Sequence, residues 1–221
     1  MSLPVRQMAT TASIVVRPLG LRDYEPLWRD MQRFTETRSA DSLDEIWFTE
    51  HPPIFTLGLN ASRDHLLAPG DIPVLQVDRG GQVTYHGPGQ LMIYPLIDLP
   101  RADLGVRDLV TALERMAVEL LAEFGIDAIS RKDAPGVYAG GHKVASVGLK
   151  VRRGASYHGM ALNVDVDLVP FSRIHPCGFS DLEVTNLATL GVDETRPEIE
   201  ARVQRLLLHH LRMADRRVVS K

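Results

Sequence analysis

The chain has 221 residues, 44% of them hydrophobic and 24% charged, and a formal net charge of −3 at pH 7. This balance is ordinary for a soluble globular protein with one sizeable domain, and it excludes the strongly basic character of a typical nucleic-acid binder. No apolar run approaches the roughly 18 residues that a membrane span requires. The single cysteine, Cys177, excludes an internal disulfide and a cysteine-rich metal site, while a reactive thiol stays open.

The N-terminal residues 1–12 are mixed and polar, and they lack the apolar stretch of a secretion signal. We therefore expect a disordered extension over 1–12, a single domain over 13–221 and a location in the cytoplasm. No internal repeat or low-complexity block divides the chain further.

The first part of the chain is predicted to form short strands and one helix. A strand is predicted at 14–16, and apolar residues at three- and four-residue steps then predict an amphipathic helix from Leu21 to about Thr37. The stripe of this helix consists of Tyr24, Leu27, Trp28, Met31 and Phe34. Two more strands are predicted at 46–48 and 54–57, because a pair of prolines between them forbids a continuous ladder.

The later part of the chain is predicted to contain a clear helix, a group of strands and a final helix. Glu114 and other charged residues lie off the apolar face of the first of these helices, which ends at Gly125. That face consists of Leu109, Val110, Leu113, Met116, Ala117, Leu120, Leu121 and Phe124. Strands are predicted at 128–130, 136–138, 144–151 and 156–164, with a hairpin turn at 152–154, and the last helix at 198–213. This order predicts an α/β (α+β) domain with a mixed, largely antiparallel sheet flanked by helices.

A glycine-rich segment, Arg79–Gln90, lies between two short apolar runs at 74–77 and 91–96 that are predicted to be strands. Its four glycines mark places where the backbone turns tightly or where another group lies against it. One interpretation is a wall for a ligand, with the threonine, tyrosine and histidine of the segment as polar contacts. The other is a glycine-rich hairpin with a satisfied histidine, and the segment alone does not decide between them.

Cys177 follows a proline and precedes a glycine, which is the context of a loop and not of an apolar helix face. A nucleophilic thiol needs a nearby cation, a histidine or helix N-terminal amides to lower its pKa. The chain offers His86, His158, His175 and Lys143, and their spacing does not choose among them. The alternatives are a small buried hydrophobe for the cysteine and a solvated surface charge for the lysine.

The strand predicted at 156–164 has two different faces. One face carries His158, Met160, Leu162 and Val164, and the other carries Tyr157, Gly159, Ala161 and Asn163. The small residues Gly159 and Ala161 predict a groove along the sheet that would accept an alkyl chain. A weak strand position or a close helix contact explains the same pattern.

Several kinds of site find no support in the sequence. The histidines at 86, 142, 158 and 175 lack the spacing of a zinc site, so no metal is expected. There is no Gly-x-Ser-x-Gly elbow for a serine hydrolase and no Walker-type phosphate loop.

Taken together, these segments resemble the lipoyl(octanoyl) transferases, the octanoyltransferase family of lipoate biosynthesis. The resemblance extends from about residue 45 to residue 180, and the string Arg79–Gln90 is its most specific part. It rests on Glu50-His51-Pro52, Thr56-Leu57-Gly58, Arg79–Gln90, Lys143–Gly148, His158–Asn163 and Pro176-Cys177-Gly178.

The resemblance implies a fold similar to biotin and lipoate protein ligases and an acyltransferase reaction. Cys177 would be the nucleophile that carries the acyl group as a thioester, and Lys143 would lower the thiol pKa and serve as a general base. The residues implied in acyl binding are Arg79, Gly80, Gly81, Gln82, Val83, Thr84, Tyr85, His86, Ser146, Val147, Gly148, Gly159, Met160 and Ala161.

The same resemblance implies protein substrates on both sides of the reaction. Octanoyl-acyl carrier protein would be the donor, and the acceptors would be lipoyl domains of 2-oxoacid dehydrogenase complexes and the glycine cleavage H protein. No cofactor, ATP, metal, nucleic acid or membrane would be needed, and a monomer is expected. Lys150, Arg152, Arg153 and Arg173 offer a basic rim for acidic carrier proteins, although an ordinary solvated hairpin explains each of them as well.

Three other functions stay open at this point. An ATP-dependent lipoate or biotin ligase would share the fold but would need no cysteine nucleophile. A non-catalytic protein would bind lipoyl domains or acyl chains without transfer. A cysteine hydrolase would use water as the acceptor and would pair its thiol with a histidine.

Overall fold

The computed structural model describes residues 13–176, 182–213 and 218–220. The N-terminal extension 1–12 and Cys177 lie outside the described residues, so what we expect of them stays a prediction. The strands are β1 (Ile14–Leu21), β2 (Asp44–Glu50), β3 (Ile54–Leu57), β4 (Val74–Gln76), β5 (Val83–His86), β6 (Gln90–Leu96), β7 (Ala128–Ser130), β8 (Gly136–Ala139), β9 (His142–Arg152), β10 (Ala155–Asn163) and β11 (Val218–Ser220). The helices are α1 (Tyr24–Glu36), α2 (Leu99–Ala102), α3 (Val106–Glu123) and α4 (Arg196–His210).

The described strands form one sheet of eight strands and one of three. The large sheet has the order β11-β1-β2-β6-β10-β9-β8-β7, and the small sheet has the order β4-β3-β5. Strand β1 runs parallel to β2 and to β11, whereas the other five pairs of the large sheet are antiparallel. The mixed, largely antiparallel sheet predicted from the sequence is therefore confirmed.

Alternate residues of the central strands pack into two different cores, because successive side chains of a strand point to opposite faces. On one face, Leu91 and Ile93 of β6 pack in a core shared with α3 and α4. On the other face, Met92 and Tyr94 of the same strand pack with α1. A strand buried on both faces is apolar along its whole length, and this explains the continuous apolar run in the sequence.

The small sheet lies beside α1 on the second of these faces. His86 of β5 stacks on Tyr24 of α1 with ring centroids 5.2 Å apart. The other side of β5 belongs to a third core, where Tyr85 packs with Phe55 and Phe171. The small sheet thus holds the glycine-rich segment against the large sheet.

The predicted hairpin between β9 and β10 is confirmed, with a two-residue turn. Arg153 and Gly154 both have positive φ, at 50° and 80°. Two left-handed residues between paired strands form the tight turn whose twist matches the flanking strands.

The first and last helices have bounds that differ from those predicted, and the last one ends at His210 and not at Met213. The first helix begins at Tyr24 and not at Leu21, because β1 continues to Leu21, which pairs with Glu50 of β2. The last helix begins at Arg196, just after Thr195, whose N–H donates to the Glu198 carboxylate at 2.7 Å. Among the described helices, none has the length and apolarity that crossing a bilayer requires.

Candidate active site

A narrow cavity of about 50 Å³ lies between the large sheet, the small sheet and the start of α1. It brings together segments that are far apart in the chain. Its lining consists of Tyr24, Arg79, Gly81, Gln82, Val83, Thr84, His86, Met92, Tyr94, Ser146, Val147, Gly148, His158, Gly159, Met160 and Ala161.

Two residues implied in acyl binding, Gly80 and Tyr85, lie outside this lining, whereas the other twelve line the cavity. The N–H of Gly80 donates to the carbonyl of Leu149 at 3.0 Å, so Gly80 ties the glycine-rich segment to β9. Tyr85 faces the third core, 5.6 Å from Phe55 and 5.4 Å from Phe171 between ring centroids. Strand alternation places Tyr85 on the side of β5 opposite to Thr84 and His86.

Four residues of the lining were missing from the predicted binding set: Tyr24, Met92, Tyr94 and His158. Met92 and Tyr94 alternate on β6, so a period of two would have placed them on one face. His158 was considered only as a partner for the thiol. Tyr24 is the first residue of α1, and nothing in its local sequence distinguishes it from the other apolar positions of that helix.

Glycines in these segments permit close approach of one main chain to another. A β-carbon at Gly58 would lie 1.9 Å from the carbonyl oxygen of Gly81, and one at Gly148 would lie 2.9 Å from that of Gly80. A β-carbon at Gly159 would lie 2.0 Å from the carbonyl oxygen of Ile93 on β6. The open groove predicted beside Gly159 is therefore wrong in its cause, because the neighbouring strand takes the space of the missing side chain.

The predicted alternation along β10 fails at His158. Its φ of 56° is left-handed, which few residues other than glycine adopt, and this turns the ring to the side of Tyr157. The two rings stack 5.1 Å apart, and both bond to the carboxylate of Asp78. Met160 does lie in the core shared with α3 and α4, so His158 and Met160 do not share a face as predicted.

Asp78 collects hydrogen bonds beside the cavity. Its Oδ1 accepts from Trp28 Nε1 at 2.8 Å and from His158 Nε2 at 2.9 Å, and its Oδ2 accepts from Gln32 and Tyr157. Burial by itself raises the pKa of Asp78, but the hydrogen bonds from His158, Tyr157 and Trp28 outweigh burial and hold that pKa well below its ordinary value. Burial also lowers the pKa of His158, although the hydrogen bond to Asp78 and the negative charge of that carboxylate act in the opposite direction.

A second polar group holds Arg79 and His86 in place. Arg79 Nη2 donates to Thr56 Oγ1 at 2.8 Å and to the Thr56 carbonyl at 2.7 Å. Thr56 Oγ1 also lies 3.0 Å from His86 Nε2, and His86 Nδ1 lies 2.7 Å from Gln90 Oε1. Burial, and to a lesser degree the nearby His51 and Arg79, hold the pKa of His86 well below its ordinary value. His86 is therefore neutral at pH 7.

A third polar group lies at the Tyr24 end of the cavity. His51 Nδ1 bonds to the Arg22 carbonyl at 2.6 Å, and its Nε2 accepts from Tyr94 Oη at 2.8 Å. Burial lowers the pKa of His51 to about 4, although the bond to Arg22 opposes this. Burial also raises the pKa of Tyr24 to about 12, partly offset by Arg79. Both groups are neutral at pH 7.

Lys143 is 1% exposed, which excludes the alternative of a solvated surface charge. Its Nζ lies 5.4 Å from the ring centroid of Tyr138, and its charge acts on Glu114 of α3. Burial raises the pKa of Glu114, opposed by a hydrogen bond from Gly136 N at 3.0 Å and by Lys143. Glu114 thus lies off the buried apolar face of α3, as predicted, and is half-buried where it accepts from Gly136. Lys143 itself lies outside the cavity lining, three residues before Ser146, or about 10 Å along β9.

The structure also shows the hydrogen bonds and ion pairs of three other residues named in the sequence analysis, His175, Arg152 and Arg153. His175 donates its N–H to the His65 carbonyl at 2.8 Å. Arg152 pairs with the Glu36 carboxylate at 2.5 Å, and Arg153 donates to the Glu36 carbonyl at 3.1 Å. These two arginines tie the hairpin to the end of α1.

Comparison with known proteins identifies the family. The family model described as the lipoyl protein ligase A/B catalytic domain matches residues 23–209. The chain belongs to this family. Among its curated relatives, an octanoyltransferase of Alkalilimnicola ehrlichii is 58% identical, over 85% of this chain and 87% of the relative. An octanoyltransferase of Pseudomonas fluorescens SBW25 is 52% identical, over 92% of this chain and 95% of the relative.

Solved structures place this member of the lipoyl protein ligase A/B family among the ligases in fold. A bi-partite lipoate protein ligase from Thermoplasma acidophilum, studied with its E2 lipoyl domain, has a TM-score of 0.73 at 17% identity and covers 95% of this chain and 88% of its own. A biotin protein ligase from Aquifex aeolicus has a TM-score of 0.53 at 14% identity, over 92% of this chain and 71% of its own. The fold implied by the sequence resemblance is confirmed.

Proposed function

We propose that this chain transfers an octanoyl group to a lysine of lipoyl domains through a thioester on Cys177. Octanoyl transfer in lipoate biosynthesis is supported by relatives that are 50–58% identical over most of the chain and are named octanoyltransferases. Structural support comes from the convergence of 79–86, 146–148 and 159–161 on one cavity. Of these observations, the convergence carries the most weight for the assignment of an acyl site. Residues 146–148 and 159–161 meet because β9 and β10 pair, but 79–86 leads into β5 of the other sheet and still meets them around empty space.

The transfer takes place in two balanced steps. The Cys177 thiolate attacks the carbonyl carbon of octanoyl-acyl carrier protein, a new C–S bond forms, and the carrier thiolate leaves. The leaving thiolate takes a proton from the Lys143 ammonium, which becomes a neutral amine. The amine of the acceptor lysine then attacks the same carbon, a C–N bond forms, and the C–S bond to Cys177 breaks. A base removes the amine proton, and Lys143 is the residue that we assign to this task.

Lys143 suits its proposed part because it is buried. An ammonium near a thiolate favours the ionised sulfur by Coulomb attraction, and this attraction grows where water is excluded. Glu114 and Tyr138 are the titratable groups that the described part of the chain places against it from α3 and β8. His86 and His51 are neutral and hydrogen-bonded at both ring nitrogens, so they hold the cavity in shape and do not activate the thiol.

The proposal also specifies the acyl donor, the acyl acceptors and the conditions of the reaction. Octanoyl-acyl carrier protein gives the acyl group, and lipoyl domains of 2-oxoacid dehydrogenase complexes and the glycine cleavage H protein receive it. The exchange of one thioester for another needs no ATP, metal or other cofactor. A monomer in the cytoplasm is the state in which we expect the reaction.

Intact-protein mass spectrometry tests the proposal directly. The enzyme is mixed with octanoyl-loaded carrier protein, without ATP and without acceptor. One octanoyl group should appear on the wild type, map to Cys177 and leave when a lipoyl domain is added. Cys177→Ser should show no labile adduct and should lose transfer.

The alternatives give different results in the same experiment. Product without an adduct would mean direct transfer within a ternary complex. Product only with free octanoate and ATP would mean a ligase, and neither adduct nor product would mean a binding protein. Release of free octanoate without acceptor would mean a hydrolase.

A further inference from the structure

A chain of buried polar side chains joins the cavity to the backbone beside Lys143. From the cavity side, it passes through Thr56, His86, Gln90 and Asn163 to the carbonyl of Thr185. Gln90 Nε2 donates to Asn163 Oδ1 at 2.9 Å, and Asn163 Nδ2 donates to the Thr185 carbonyl at 2.9 Å. All five residues are at most 5% exposed. A buried polar group without a partner is costly, so each bond in this chain depends on its neighbours.

The acceptor at one end of this chain determines which atom donates and which accepts in every other hydrogen bond. The Thr185 carbonyl only accepts, so the amide nitrogen of Asn163 must face it, and Asn163 Oδ1 must face Gln90 Nε2. Gln90 Oε1 then accepts from His86 Nδ1, which leaves His86 Nε2 to accept from the Thr56 hydroxyl. One tautomer of His86 and one orientation of each amide satisfy the whole chain.

The segment 183–185 lies directly against Lys143. The N–H of Lys143 donates to the Glu183 carbonyl at 2.8 Å, and the N–H of Thr185 donates to the Lys143 carbonyl at 2.9 Å. Strand β10 pairs with β9 only as far as Ala145, so this segment is the partner of β9 at Lys143. Asn163 lies on the other side of this segment, where its side-chain amide donates to the Thr185 carbonyl, and its main-chain carbonyl accepts from Leu187 N at 2.9 Å just beyond the segment.

We infer that Gln90 and Asn163 are positioning residues that hold 183–185 against Lys143 and thereby set the place of the lysine. This inference rests on the role proposed for Lys143 and names residues outside the acyl cavity. The amides of Gln90 and Asn163 are suited to this task because each donates and accepts at once, so they join a neutral histidine to a main-chain carbonyl without burying a charge.

The test compares four variants. Asn163→Leu keeps the approximate size of the side chain and removes its two side-chain bonds while the main-chain bond from Leu187 stays. Gln90→Met breaks the chain one step earlier. Ser156→Ala is the matched control, because Ser156 is a fully buried residue of the same strand that donates to the Pro95 carbonyl at 2.6 Å, away from Lys143. Lys143→Met reports the proposed role of the lysine itself. Thermal melting first establishes which variants are folded.

Three measurements are made on each folded variant, the third being steady-state kinetics of acyl transfer. The first is the pH dependence of alkylation of Cys177 by iodoacetamide, and the second is hydrogen exchange of a peptide that covers 183–187. Asn163→Leu and Gln90→Met should move the alkylation midpoint upward by about one pH unit and should increase exchange of 183–187. They should also lower kcat roughly tenfold or more, with a KM for the acyl donor within about twofold of the wild type. Ser156→Ala should leave the midpoint unchanged.

The outcomes separate this inference from the proposed function. If Lys143→Met moves the midpoint and folded Asn163→Leu and Gln90→Met leave it in place, the positioning role is wrong. If Lys143→Met also leaves it in place, the proposed pairing of Lys143 with Cys177 is wrong. The hydrogen exchange then still reports by itself whether Asn163 holds the segment. Should Asn163→Leu not fold, Gln90→Met decides the question.

Discussion

Gly136 leaves open the space that the side chain of Lys143 occupies. A β-carbon at position 136 would lie 2.6 Å from Lys143 Cε and 2.2 Å from the Ala145 carbonyl oxygen. Its φ of 143° is also one that favours glycine. The neighbouring strand β8 thus limits the space in which the buried lysine side chain lies.

Gly136→Ala should therefore damage the enzyme in two ways. Backbone strain and overpacking should lower the free energy of unfolding by about 2–4 kcal/mol, and the shifted lysine should lower transfer roughly tenfold or more. Gly140→Ala is the matched control, because Gly140 has φ 57° and nothing within 4 Å of the added carbon. The free energy of unfolding of the control should fall by about 1 kcal/mol, and its transfer rate should stay that of the wild type. Equal transfer rates in the two variants would contradict the steric argument.

A larger side chain at Ala161 should shorten the preferred acyl chain. Ala161 lines the cavity and pairs with Ser146 and Met92 on the two neighbouring strands. Ala161→Leu should lower kcat/KM for octanoyl transfer at least about tenfold, while transfer of a butanoyl group falls much less. Ala188→Leu, at an exposed position, should change neither value. Equal losses for both chain lengths would mean that Ala161 lies outside the acyl path.

The free energy of unfolding should fall as the pH drops from about 6.5 to about 4, partly because of His51. Burial lowers the pKa of this histidine to about 4, so the folded protein keeps it neutral while the unfolded chain takes up a proton. A difference of one between the folded and unfolded pKa values corresponds to about 1.4 kcal/mol, so His51 accounts for about 3 kcal/mol.

Urea denaturation between pH 4 and 8 measures this dependence. His51→Gln should flatten the pH dependence by up to about 3 kcal/mol. The free energy of unfolding of this variant should still fall at low pH, because burial also lowers the pKa values of His86 and His158. His209→Gln, at an exposed position of α4, should leave the curve unchanged. If both variants follow the wild-type curve, His51 does not cause the pH dependence of stability.

Asp78 should be a strong stabilising residue above pH 4. Its lowered pKa means that the folded state favours the carboxylate, so its contribution is fully present above the ordinary pKa and is lost as the pH falls through the folded value. Asp78→Asn places an amide among donors from Trp28, His158, Tyr157 and Gln32, and should cost about 2–3 kcal/mol at pH 7.

Chemical denaturation at pH 7 and at pH 3 measures the effect of Asp78→Asn. The difference between variant and wild type should shrink at the lower pH. Asp133→Asn is the control, since its pair with Arg131 at 2.5 Å lies on the surface, where an ion pair contributes little to stability. A cost at Asp78 no larger than that of the control would show that the cluster contributes little.

Much of the fold was predictable because it depends on short-range patterns. The turn at Arg153 and Gly154 follows from a glycine between two apolar strands, and the apolar face of α3 follows from its spacing. The start of α1 was not predictable from spacing, since Leu21 fits the helical stripe and also fits the end of β1. Periodicity likewise placed His158 on the wrong side, because its left-handed backbone turns this one side chain toward Tyr157 while Met160 and Ala161 keep the alternation of the strand.

The family, the main strands and helices, and most segments of the cavity follow from the sequence alone, because they depend on motifs and on neighbours along the chain. The three-dimensional arrangement was needed to place Tyr24, Met92 and Tyr94 in the cavity and to join Gln90 through Asn163 to Thr185. These contacts link residues 73 and 22 positions apart. Local periodicity carries no information about such distances, since they are set by which strands pair and by which side chains then share buried space without water.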